Sequence, residues 1–306
     1  MCGINGFAGR PKEGARTAFE TFYREVMLGT EKRGHHATGI AAYRGSNRSV
    51  VGKGPVPASA FVKTPVWEKA LRSLSAIGHC RYATHGSPSR NENNHPFESG
   101  RWALVHNGVI LGHTEIARRE GVNLSSECDS EIIIRVFARG AKQGGSPKAG
   151  LQKFVDAING HQAGYAVALL DRTNGKIRLL RDESRPCAIV RLPALGAVFF
   201  ASTAEILREA MEKTLRAHDG FPLLDGADGW ECIRGRVYVI DPNTLEVEHE
   251  EIKVPETRTL TLFGSLDGRF SDAETGGGPR NGGVIRVCDT CGEYICRCEE
   301  LTSPAN

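Results

Sequence analysis

The chain opens Met1-Cys2-Gly3-Ile4-Asn5-Gly6-Phe7-Ala8-Gly9. Cys2 to Ala8 reads as a β-strand, so the polypeptide enters its first sheet at its second residue and puts a thiol where that strand begins. Removal of Met1 is chemically easy, because the next side chain is small. Cys2 then carries a thiol and a free α-amine on one residue. A thiol is intrinsically nucleophilic but mostly protonated near pH 7. An α-amine, with a pKa of about 7.7–8.0, is partly neutral there and can serve as the base. The glycines around it let a substrate approach the backbone closely. The alternative is a structural Cys buried in a first strand, a common place for a free Cys.

Composition narrows the class. The 306 residues are 40% hydrophobic and 25% charged, ordinary for a globular chain, and fit one large domain or two smaller ones. A formal charge of +3 is too small to suggest nucleic acid. No apolar run approaches the roughly 18 residues of a membrane span. No basic stretch followed by an apolar one marks a signal peptide. Of nine Cys, five are scattered (Cys2, Cys80, Cys128, Cys187, Cys232) and four are clustered near the end. This is not the pattern of a secreted disulfide scaffold, and a cytoplasmic setting is expected.

Periodicity predicts a helix over 16–32, with Phe19, Phe22, Tyr23, Val26 and Met27 at helical spacing. A polar loop over 33–39 follows, then strands over 40–43 and 49–51 joined by a turn. A short helix over 65–74 precedes a strand over 76–82 and a second polar loop over 84–96. The strand over 102–106 is expected to stop at Asn107-Gly108, a turn dipeptide. Helices over 129–142 and 147–158, a hairpin of 166–171 with 176–181, strands over 188–191, 197–201 and 237–240, and a helix over 204–215 complete the pattern. Hairpins and grouped helices, rather than alternating βαβ units, predict an α+β layered domain.

Several polar segments sit at strand ends, where sites are usually built: Arg81-Tyr82-Ala83-Thr84-His85-Gly86, Asn94-His95-Pro96-Phe97, His106-Asn107-Gly108 and Cys128-Asp129-Ser130-Glu131. Singly each has an ordinary reading. Arg81 suits a salt bridge, the histidines suit satisfied core positions, and Asp129 suits a helix N-cap. In this order, behind Cys2-Gly3-Ile4 and Arg33-Gly34, they resemble the glutaminase domain of the class II, N-terminal-nucleophile glutamine amidotransferases. The domain of glucosamine-6-phosphate synthase and amidophosphoribosyltransferase is the most similar in pattern. The resemblance covers about residues 2 to 250.

It implies a four-layer αββα sandwich with a flexible C-terminal tail, and an enzyme. Cys2 would be the nucleophile, with its own amine as base. The Asn107 amide and the Gly108 backbone N–H would form the oxyanion hole. Arg81 would bind the glutamine α-carboxylate, for which its forked guanidinium is suited, and Asp129 the α-ammonium. Thr84, His85 and Gly86 would shape a loop closing over substrate. Glutamine would pass through a thioester to glutamate and ammonia, with no cofactor for that step. The chain departs from the family pattern at Tyr82, where a Trp is common, and at His35-His36-Ala37-Thr38-Gly39.

Domain organisation follows: the amidotransferase domain over 2–254, a Gly/Ser/Asp-rich flexible linker over 255–283, and a Cys-rich tail over 284–306. The roughly 50 residues after Pro255 are too few for a synthase fold. Ammonia is therefore expected to go to a synthase on a separate partner subunit. The alternatives are a stand-alone amidohydrolase of a γ-glutamyl compound, or a catalytically silent scaffold on the same fold. In the tail, Cys288-x-x-Cys291-Gly292 and Cys296-x-Cys298 offer four thiols, a set suited to tetrahedral structural zinc. Their close spacing leaves a redox pair or a site completed by another chain as alternatives. The tail is expected to dock a partner rather than do chemistry.

Overall fold

The computed structural model describes residues 1–254; the linker and the Cys-rich tail lie outside them. The strands are β1 Gly3–Gly9, β2 Ala37–Gly45, β3 Arg48–Gly54, β4 Ser75–Arg81, β5 Phe97–Ser99, β6 Trp102–Ile110, β7 Ala163–Asp171, β8 Ile177–Arg181, β9 Ala188–Leu192, β10 Ala197–Ala201, β11 Asp228–Glu231, β12 Arg236–Ile240 and β13 Val247–Glu251. The α-helices are α1 Arg16–Glu31, α2 Ala58–Phe61, α3 Pro65–Leu71, α4 His113–Glu120, α5 Glu131–Gln143, α6 Pro147–Ile158 and α7 Ala204–Ala217. Among the described residues no helix is long and apolar enough to cross a membrane.

Two antiparallel sheets carry these strands. One runs β11-β9-β10-β1-β4-β2-β3 and the other β13-β12-β8-β7-β6-β5. Three apolar clusters fill three interfaces, which makes the molecule a four-layer αββα sandwich. Phe7, Phe19, Phe22, Tyr23, Trp67 and Phe199 belong to the cluster between the first sheet and α1, α3 and α7. Trp102, Phe137, Phe154 and Tyr165 belong to the cluster between the second sheet and α4 to α6. The third lies between the sheets, where Ile4, Ala8, Ile77, Val105, Ala166 and Phe200 meet. Strand alternation explains how β1 serves two layers: Phe7 points at the helices while Ile4 and Ala8 point at the other sheet. Every residue of β1 is buried, as expected of a central strand covered on both faces.

Helix ends follow local chemistry. Thr64, Ser146 and Thr203 accept from the backbone N–H of Trp67, Ala149 and Ile206 and so cap α3, α6 and α7. Pro65 and Pro147 occupy first-turn positions, where a missing N–H costs nothing.

The fold corrects two sequence-based expectations. Asn107-Gly108 is not a turn. β6 runs through it to Ile110, with Asn107 opposite Ala166 and Gly108 opposite Tyr165 in β7. The long β7 partner, from Ala163, extends the ladder past the dipeptide and overrides its turn preference. The loop over 33–39 is shorter than expected, because Ala37, Thr38 and Gly39 pair with Arg81, Cys80 and His79 in β4. Of the two readings of Asp129, the helix cap is not the one the fold takes: Ser130 holds the N-cap position of α5 without a capping side-chain bond, and the Asp129 carboxylate accepts from the Ile110 N–H of β6. Patterning also passed over α2, α4, β5, β11 and β13, which are short or strongly polar.

Candidate active site

Cys2 stands just ahead of β1, in the middle of the first sheet. Gly3 pairs with Cys80, which sets Cys2 beside the end of β4. Its thiol donates to the Tyr82 carbonyl at 3.3 Å, and the Tyr82 N–H approaches the sulfur at 3.4 Å. Arg33 Nε donates to the Cys2 carbonyl at 3.0 Å. Gly34 lets the segment after α1 pass this close: a Cβ there would lie 2.4 Å from the Arg81 carbonyl carbon and the Tyr82 nitrogen. Burial pushes the Cys2 thiol pKa up. The Tyr82 backbone bond, the amino terminus and Arg81 pull it back, while Asp129 pushes it further up.

Arg81, at the end of β4, is only 2% exposed. Its guanidinium donates to Asn94 Oδ1 at 2.8 Å, to the Gly86 carbonyl at 2.9 Å and to the His85 carbonyl. The predicted carboxylate binder is thus also the post that holds the loop after β4. Thr84 lies exposed in that loop. His85 Nδ1 is 3.9 Å from Asp129 Oδ1, beyond hydrogen-bond range. Gly86 has a left-handed φ of +72° and packs against Asn93.

The second sheet supplies the other half. β1 and β4 pack on β6. Asn107 is 1% exposed, and neither its Oδ1 nor its Nδ2 has a hydrogen-bond partner. The backbone of β6 explains why its end is open. Tyr165, opposite Gly108, spends its N–H on Asp182 Oδ2 and its carbonyl on the Asp182 N–H. Gly108 and Tyr165 therefore form a non-hydrogen-bonded pair, and the Gly108 N–H points away from β7. On that side β5 pairs only as far as Leu104. His106 and Ile110 face the same side by alternation. The His106 carbonyl takes a bond from His79 Nε2 at 2.9 Å, and the Ile110 N–H donates to Asp129 Oδ2 at 2.7 Å. Gly108 lies between these two anchored residues. Its φ of +155° favours glycine, and a Cβ there would fall 1.9 Å from the Gly164 carbonyl oxygen.

Asp129 is 2% exposed and makes no ion pair with Lys or Arg among the described residues. A buried carboxylate held by the Ile110 N–H and the Cys128 thiol, with no Lys or Arg beside it among the described residues, is an open place for a cationic ligand. The site thus offers a thiol, two donors at one strand end, a buried guanidinium and a buried carboxylate.

Sequence reasoning gave no role to the residues that brace this arrangement. Asn94 anchors Arg81. His36 Nδ1 accepts from the Ala83 N–H at 3.0 Å. Ser130 Oγ meets His106 Nδ1 at 2.8 Å. Asn5, in β1, accepts from Tyr23 Oη at 3.1 Å and donates to Thr30 Oγ1 at 3.1 Å. Only the polar character of their segments hinted at them. His79 and His95 stack at 3.8 Å behind Arg81. Burial first, then neighbouring positive charge, holds His95 well below the usual His pKa, and burial lowers His79 to about 3. No group of three or more His, Cys, Asp or Glu among the described residues forms a metal site. Cys288, Cys291, Cys296 and Cys298 lie outside those residues.

Two family models match the chain: "Glutamine amidotransferase domain" over residues 79–209 and "Glutamine amidotransferases class-II" over residues 18–139. A glutamine–fructose-6-phosphate aminotransferase (isomerizing) of Halalkalibacterium halodurans is 33% identical over 83% of this chain and 41% of that protein. The same enzyme of Aquifex aeolicus is 31% identical over 72% of this chain and 35% of that protein. The chain thus spans less than half the length of these relatives. Among solved structures, the glutamine phosphoribosylpyrophosphate amidotransferase of B. subtilis matches with a TM-score of 0.61 at 20% identity, over 82% of this chain and 49% of that one. A glutamine aminotransferase class-II domain protein of Silicibacter pomeroyi matches with a TM-score of 0.51 at 15% identity, over 82% of this chain and 99% of that one. These two likenesses bear on the fold.

Proposed function

This chain belongs to the class II glutamine amidotransferases, and on that premise we propose that it hydrolyses the side-chain amide of glutamine through a thioester on Cys2. Loss of Met1 frees the α-amine of Cys2, which takes the thiol proton as sulfur attacks the amide carbon. The Asn107 Nδ2 and the Gly108 N–H receive the developing oxyanion. The ammonium just formed gives its proton to the departing nitrogen, which leaves as ammonia. Water then attacks the thioester, returns the thiol and releases glutamate. Arg81 holds the substrate α-carboxylate and Asp129 its α-ammonium, while Thr84, His85 and Gly86 cover the bound amino acid.

The observation that carries this reading is the side-chain amide of Asn107, buried and without a partner on either polar atom. Buried polar groups are nearly always paired. An orphaned amide beside an outward-facing Gly108 N–H fits donors kept free for an oxyanion. The ammonia is passed to an acceptor on a partner subunit, and the tail is the docking piece, its four thiols around a structural zinc.

The test is labelling with a diazoketone analogue of glutamine, followed by intact-mass and peptide mapping. One adduct at Cys2, on chains that have lost Met1, is the expected result. Retained Met1, no adduct, or adducts only at the tail cysteines sinks the proposal.

A further inference from the structure

Two cysteines away from the nucleophile face each other across the end of the first sheet. β11 is that sheet's edge strand and pairs with β9 through Trp230↔Ile189 and Glu231↔Ala188. One step beyond the last pair stand Cys232 and Cys187, and the Cys232 N–H donates to the Cys187 carbonyl at 2.8 Å. Directly opposed residues of an antiparallel ladder have Cα atoms about 4.5–5.5 Å apart. Their side chains leave the same face. A disulfide spans about 4.4–6.8 Å between Cα atoms. Both residues are free thiols, 2% and 3% exposed, within the cluster that also holds Ile189 and Trp230.

We propose that Cys187 and Cys232 are an oxidation site, forming a reversible disulfide that fastens the edge strand β11 to β9. The oxidant class is a small-molecule disulfide such as oxidised glutathione. One protein thiolate attacks it, making a mixed disulfide and expelling one glutathione thiolate. The second protein thiolate attacks the protein sulfur of that mixed disulfide and expels the other. The two protein sulfurs are oxidised, the glutathione disulfide is reduced to two thiols, and the two protons pass from protein to glutathione.

Access requires β11 to open. It is four residues long, its side chains other than Trp230 are exposed, and an ion pair between Arg191 and Asp228 at 2.7 Å braces it. Short edge elements with few buried contacts open far more readily than core strands. The hydrogen bond with the Cys187 thiol, then burial, raises the pKa of Cys232, so the closed pair reacts slowly and oxidation waits on opening. Cys80 and Cys128, also buried, have no cysteine opposite them in a ladder.

The experiment treats the full chain with oxidised glutathione, quenches with acid and alkylating agent, and maps disulfide-linked peptides alongside thermal unfolding. Expected are a Cys187–Cys232 linked peptide and a Tm raised by roughly 5–15 °C, the scale set by closing a loop of this length in a domain of this size. Both are reversed by dithiothreitol and both are absent in Cys187→Ser and in Cys232→Ala. Linkage of these residues to other cysteines, a stable glutathione adduct without linkage, or an unchanged peptide map in wild-type chain overturns the proposal whatever the variants do.

Discussion

Replacing Asn107 by Leu separates what this residue does for folding from what it does for chemistry. The side chains are close in size, and Leu lacks the two polar atoms that the fold leaves unpartnered. Each unsatisfied buried polar group costs about 1–3 kcal/mol. Replacing both by apolar atoms is therefore expected to stabilise by roughly 1–3 kcal/mol, after allowing for imperfect packing of the branched end. For a domain of this size that raises Tm by about 2–4 °C per kcal/mol. Loss of one oxyanion donor costs about 10²–10³ in kcat, or roughly 2.7–4 kcal/mol of transition-state stabilisation. The effect on KM should be smaller, because the substrate carbonyl bears little charge before attack. The assay is glutamate release at varied glutamine, paired with thermal or urea unfolding of the same preparation. A variant that loses several degrees of Tm while keeping kcat within about three-fold refutes the argument, since Asn107 would then be structural.

Arg81→Ala and Asp129→Ala should each raise the KM for glutamine strongly. Arg81→Ala should also lower Tm, because it frees Asn94 and the loop carbonyls of His85 and Gly86; unchanged glutamine kinetics in both variants removes them from the substrate site. Metal analysis of full chain purified without chelator should find about one zinc, lost when Cys288, Cys291, Cys296 and Cys298 are replaced by Ser; equal metal in both rules the knuckle out. His79, His95 and His106 are buried with pKa values lowered chiefly by burial. A depressed folded-state pKa gives stability that is present above the unfolded value of about 6.5 and lost as pH falls below it. Unfolding free energies from urea titration should be flat from pH 7 to 8 and fall below about pH 6.5 by up to roughly 1.4 kcal/mol per pH unit for each His; no fall between pH 6.5 and 5.5 contradicts the buried neutral imidazoles.

Much of the fold was legible because the strongest periodic segments are also the ones that meet the core. The helix predicted over 147–158 matches α6 residue for residue, with Ser146 as its cap and Pro147 in its first turn. The hairpin of β7 and β8 was readable from its apolar runs and its Thr173-Asn174-Gly175 turn. What failed was set by distant partners. Asn107-Gly108 carries a turn signal, yet β7 pairs straight past it. Asp129 has the chemistry of a cap, yet the Ile110 N–H reaches it first. Both are residues whose ordinary local preference is overruled by a distant partner so that a polar group faces inward. The residue types of the candidate site stand in the ordered motifs, but the braces do not. Asn5 reaches Tyr23 and Thr30, Asn94 reaches Arg81 and His36 reaches Ala83, across 13 to 47 positions of sequence, and no local pattern records such pairings.

The division of the site between two sheets has a consequence for how activity depends on packing. Cys2 and Arg81 belong to the first sheet, and Asn107, Gly108 and the Asp129 anchor belong to the second. No backbone ladder joins the two sets; their relative position is fixed by the side chains between the sheets. That layer is built around small residues, with Ala8, Ala41, Ala103, Ala166 and Ala168 beside Ile4, Ile77, Val105 and Phe200. Small side chains bring the sheets close, and close-packed interiors yield little when volume is added. Bonds made by individual atoms then set the fine adjustment. The His79 ring in the first sheet donates to the His106 carbonyl in the second, one residue from Asn107 and two from Gly108. Because burial keeps that imidazole neutral, its Nε2 carries the proton that the carbonyl needs and no charge that would require a counter-ion. A neutral, buried, cross-sheet bond of this kind ties the donor strand to the nucleophile's sheet without adding positive charge beside Arg81. The distance from the Cys2 thiol to the proposed oxyanion donors is thereby a property of the sandwich as a whole, and not of the loops that surround it.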